Sequence, residues 1–113
     1  MAVNAPTKEQ ILGTLLPFLN IAERCGTDEL EEKLPPFSLE DIVGKTLSGT
    51  SRIKNPRPYN PEIEANSPKE YLVLTFSDGS YILHALVGWQ DGTISNSFFV
   101  HNGIVGYSSR LLA

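Results

Sequence analysis

A chain of 113 residues, 41% hydrophobic and 19% charged, holds material for one folded domain and lies outside the low-hydrophobicity, high-charge composition of disordered chains. Its formal net charge of −4 argues against a general nucleic-acid binder, which would carry a basic excess. The apolar stretch from Tyr81 to Trp89 is interrupted by His84 and falls well short of the ~20 residues a membrane-spanning helix needs, while Met1 to Lys8 lacks the order of a secretory signal. The expectation is a cytoplasmic protein with no membrane segment.

Thr7 followed by Gln10 is a capping-box pattern that opens a helix. Ile11, Leu15, Leu19 and Ala22 then recur at helical spacing, with Leu12, Leu16 and Phe18 widening the apolar face, so the helix must pack against something. Pro17 removes a backbone donor and predicts a kink about midway. Gly26 stops the helix, Asp28 to Lys33 favours a short helical turn ended by Pro35-Pro36, and Ser38 caps a further turn closed by Gly44.

Lys45 to Ile53 is rich in Ser and Thr and predicts a first strand with a bulge or bend at Gly49. Residues 54 to 68 contain four prolines and three asparagines and read as an extended loop. Tyr71 to Phe76 and Tyr81 to Val87 are β-branched and aromatic, with Ser77-Asp78-Gly79-Ser80 between them, which predicts a hairpin. Gln90-Asp91-Gly92-Thr93 leads into a strand from Ile94 to Val100, and His101-Asn102-Gly103 into another from Ile104 to Leu112.

The whole reads as a single α+β domain over residues 1–113, in which a kinked N-terminal helix and short helical turns pack on an antiparallel β-meander of four to five strands. Residues 1–44 form its helical third, 45–68 a basic strand and proline-rich loop, and 69–113 the meander. Both faces of the Tyr81 to Val87 strand are apolar, so one face should lie under the helix and the other under a partner subunit or the long loop, which favours a homodimer. Gly44-Lys45-Thr46 followed by Leu74 to Ser80 resembles a pattern of small bacterial and phage domains. That resemblance implies an accessory protein of this kind and no particular activity.

Charge is unevenly spread: residues 1–44 hold three basic and eight acidic side chains, residues 45–69 five and two, and residues 70–113 one and three. Lys45, Arg52, Lys54 and Arg57 lie in an acid-free run beside Tyr59, and cations next to an aromatic ring suit phosphate and base recognition. The simpler reading of the same residues is a strand edge whose charges discourage pairing with another edge. Trp89 at a strand end, and Tyr107 with Arg110, could complete a ligand site. A phosphate-binding loop at Gly44-Lys45-Thr46 fails, because Leu39 stands where that motif needs its first glycine.

His84, in the most apolar strand, reads as a hydrogen-bonded core histidine, and His101 as a surface residue at a turn. Asp78 and Asp91 are explained by their turns, and the alternation of Ser95 and Ser97 with Ile94 and Phe98 predicts solvent exposure for the serines. The lone Cys25 predicts a small buried residue, and neither cysteine nor histidine spacing offers a metal site or implies a cofactor. The function expected first is therefore non-enzymatic capture of a small anionic, nucleotide-like ligand by Lys45, Arg52, Lys54, Arg57 and Tyr59 with Trp89, Tyr107 and Arg110. The alternatives are a protein-interaction module, of inhibitor or immunity type, that turns its acidic helical third to a basic partner, and a small enzyme using His84 or His101.

Overall fold

Helix α1 (Lys8–Cys25) starts where Thr7 and Gln10 predict. The Thr7 N–H donates to Gln10 Oε1 at 2.8 Å and the Gln10 N–H to Thr7 Oγ1 at 3.1 Å, so two backbone donors of the first turn are satisfied reciprocally. The computed structural model describes residues 6–25, 27–56, 70–86 and 97–108. The chain is helical on both sides of Pro17, and the expected kink there is not confirmed. The donor that proline lacks would have met the Gly13 carbonyl. Both residues lie on the exposed side of the helix, where solvent can serve that carbonyl.

Helix α2 (Thr27–Lys33) follows and rests against α1 and the last strand. A single 3₁₀ turn (Leu39–Ile42) comes next, its entry fixed by the Ser38 N–H donating to Asp41 Oδ2 at 2.8 Å. Gly44 leaves this turn at φ 87°, a left-handed conformation that glycine adopts without strain.

Five strands complete the domain: β1 (Leu47–Lys54), β2 (Glu70–Phe76), β3 (Tyr81–Leu86), β4 (Ser97–His101) and β5 (Ile104–Ser108). They form one sheet in the order β1-β2-β3-β4-β5, every pair antiparallel, so the meander runs through all five. The register of β1 on β2 shifts between Leu47 and Gly49, which is the bulge expected there. The β2–β3 turn closes with the Phe76 N–H donating to the Ser80 carbonyl at 2.9 Å and Gly79 at φ 90°. Asn102 and Gly103 both take positive φ, 52° and 78°, as a two-residue hairpin loop of twisted strands requires.

The two faces of the sheet are covered by different parts of the chain. On one, Ile11, Leu15 and Leu19 of α1 and Leu30 of α2 pack on Tyr71, Val73, Leu83, Phe98 and Tyr107. On the other, Phe37 packs on Phe76 and Ile82, with Ile42, Leu74 and Phe99 around them. The apolar second face of β3 at Ile82 thus packs against Phe37 and Phe76. The free edge of β5 is occupied as well: Pro36 bridges in parallel to Tyr107, whose N–H donates to the Pro35 carbonyl at 3.0 Å. A Cβ at Gly106 would lie 3.4 Å from the Pro35 carbonyl oxygen and 3.5 Å from Phe37, in ordinary contact with this segment. Among the described residues no helix is long and apolar enough to cross a membrane.

Candidate functional site

At the turn end of the sheet, Asp78 gathers groups from three separate segments. Its Oδ1 accepts from the Ser80 N–H at 2.9 Å and from the Ser80 hydroxyl at 2.5 Å. Its Oδ2 accepts from Lys45 Nζ, and His101 Nε2 lies 3.8 Å from the same oxygen. The hydrogen bonds from Lys45 and Ser80 hold the Asp78 carboxyl well below the usual carboxylate range. Lys45 also stands 5.5 Å from the centre of the Phe99 ring, so its charge is matched by a carboxylate and an aromatic face together.

Beside this cluster lies a groove of ≈ 340 Å³ between the segment after α2 and the β4–β5 hairpin. Pro35, Pro36 and Phe37 form one wall, and Phe99, Ile104 and Gly106 the other. The Phe37 and Phe99 rings pack against each other in its lining, with centres 5.6 Å apart. Ile104 is 67% exposed beside the groove, one of three exposed large aliphatic side chains among the described residues, with Val43 and Leu47. The lining residues that ionise are Asp41 and His101. None of this is legible in the sequence, because the groove joins residues distant along the chain; the sole local signal is an aliphatic residue directly after an Asn-Gly turn.

A second polar arrangement lies further along the same face. Cross-strand pairing puts Arg52, Leu72, His84, Ser97 and Ser108 in one row over the five strands. His84 Nδ1 and Ser97 Oγ share a hydrogen bond of 2.7 Å. Ser97 is completely buried, contrary to the exposure predicted from its alternation with Phe98; the alternation places it correctly on the opposite face from Phe98, but that face is covered here too. The Ser97 hydroxyl is thus shielded from solvent and paired with His84. Burial pushes the His84 imidazole below its ordinary range, so the neutral ring is favoured in the fold.

A stability consequence follows for His84. With the folded value below the unfolded one, the unfolded chain binds the extra proton, so stability is complete above the unfolded pKa of ~6.5 and falls as pH drops below it. Urea unfolding at pH 7 and pH 5 should therefore show a loss for the natural chain that is smaller in His84→Gln. Equal losses in the two proteins would remove His84 as the cause.

The structure brings some of the sequence-derived ligand residues together and separates others. Arg52 and Lys54 lie exposed on one face of β1, and Arg52 Nη1 is 3.3 Å from Glu70 Oε2 on β2. Lys45 precedes the opposite end of that strand, roughly 20 Å from Arg52 at ~3.3 Å per residue, and is paired with Asp78. Tyr107 is on the helix side of the sheet, buried against Phe98 with ring centres 5.1 Å apart. Burial, and then the negative charge of Glu31, raise its hydroxyl above the ordinary phenol range. Arg57, Tyr59, Trp89 and Arg110 lie outside the described residues, as do the 57–68 part of the proline-rich loop, the turn at Asp91, Ser95 and the side chain of Cys25. Among the described residues no cluster of His, Cys, Asp and Glu could hold a metal ion.

No family model, curated protein or solved structure matches this chain.

Proposed function

We propose that this chain is a non-enzymatic interaction domain that holds a positively charged segment of a partner protein. The observation that carries the reading is the state of its charges. Of the described cations, Lys33, Lys45 and Arg52 each lie within ion-pair distance of a carboxylate, while Lys8 and Lys54 stand exposed away from the groove. Glu32, Glu40 and Asp41 of the helical third stand exposed. A surface with this imbalance attracts basic segments and steers their approach.

A second reading, capture of an anionic nucleotide-like ligand, is supported by Arg52 and Lys54, which lie exposed on one face of β1 two residues apart. One titration separates the two. Basic peptides should bind at low ionic strength and lose affinity when Glu32, Glu40 and Asp41 are replaced together by Gln or Asn, while nucleoside phosphates give no thermal shift. A shift with nucleotides that Arg52→Ala abolishes, with no peptide binding, would establish the second reading instead.

A further inference from the structure

Resting on the interaction reading, we propose that the groove between Pro35–Asp41 and the β4–β5 hairpin seats an aliphatic side chain of the partner, flanked in the partner's chain by lysine or arginine. Three features combine to select this occupant. The Phe37 and Phe99 rings touch, with centres 5.6 Å apart, and Ile104 stands exposed beside them, so an aliphatic side chain laid against Ile104 and the rim of this ring pair removes apolar surface from water.

The second feature is the sign of the rim. Asp41 contributes a carboxylate at the groove, and Glu40 beside it is exposed. Asp41 Oδ2 is engaged by the Ser38 N–H, which holds the carboxylate in place at the groove while leaving its charge uncompensated by that neutral donor. The third feature is Lys45: standing over Phe99, it would repel a cationic segment if it were unpaired, and Asp78 neutralises it. An acidic or neutral polar segment gains nothing from this arrangement, whereas a cation next to an aliphatic anchor matches both the walls and the rim.

The test uses the full chain and three short peptides with a central leucine between lysines, glycine between lysines, or leucine between glutamates. Binding is followed by fluorescence anisotropy and mapped by amide chemical-shift changes. The Lys-Leu-Lys peptide should bind best and move the amides of Phe99, Ile104 and Gly106. Ile104→Ser should weaken it about tenfold, and Asp41→Asn, whose amide oxygen still accepts from Ser38, about threefold, with that second effect vanishing at high salt.

If the leucine and glycine peptides bind alike, or the shifts fall on α2 and leave the hairpin unmoved, the groove is not the site although the interaction reading stands. Binding of only the glutamate peptide, or of none, overturns the groove and that reading together. The shift map on the natural chain decides the matter even where a variant folds poorly.

Discussion

Phe98→Ala should cost about 3–5 kcal/mol of folding stability, the usual range for emptying a buried phenylalanine site. Phe98 is fully buried in the sheet face under α1, pairs across strands with Leu83 and Tyr107, and lies with its ring centre 5.1 Å from that of Tyr107. Its cross-strand neighbours Leu83 and Tyr107 are held in the sheet, so little can collapse into the space. Small domains unfold with a total of about 5–15 kcal/mol, and the variant would retain only a fraction of that. Urea unfolding followed by far-ultraviolet circular dichroism measures the change. A loss below about 1 kcal/mol would mean that the α1 face of the sheet is not the principal core.

Asp78→Ala should produce the second-largest loss. Ser80 is fully buried and gives both its N–H and its hydroxyl to Asp78, so the alanine leaves buried donors without their partner, at about 1–3 kcal/mol. The carboxylate also joins the turn to Lys45 before β1 and lies near His101 on β4. Asp78→Asn can still accept from Ser80 and should lose less.

The acid limb of the pH dependence separates these contributions. The folded carboxyl is depressed, so its stabilisation is complete above the unfolded pKa of ~3.9 and is lost progressively as pH falls below it. The natural chain should weaken from about pH 4 downward, and Asp78→Asn should show a flatter limb. Parallel limbs would assign the acid sensitivity to other carboxylates. Because the same substitution frees the charge of Lys45 over Phe99, it should also weaken the lysine-leucine peptide without touching the groove walls.

The sequence alone determined the features that depend on neighbours a few residues apart. Thr7 and Gln10 cap each other, Asn102-Gly103 accepts two positive φ angles, and Ser77 to Ser80 reverses the chain, since capping and turn chemistry are local. Alternation in β2 to β5 likewise placed each side chain on its proper face. It could not say what covers that face. Alternation alone assigns Ser97 to solvent, yet Ser97 lies buried against His84, and Ile82 packs under Phe37, which comes from a segment distant in sequence. The basic run from Lys45 to Lys54 reads as one patch in sequence, yet an extended strand carries its ends far apart, and pairing in the sheet gives Asp78 to one end and Glu70 to the other. Which charges remain uncompensated, and that Asp41 shares a groove with Ile104, are consequences of long-range packing and strand register, which only the tertiary structure decides.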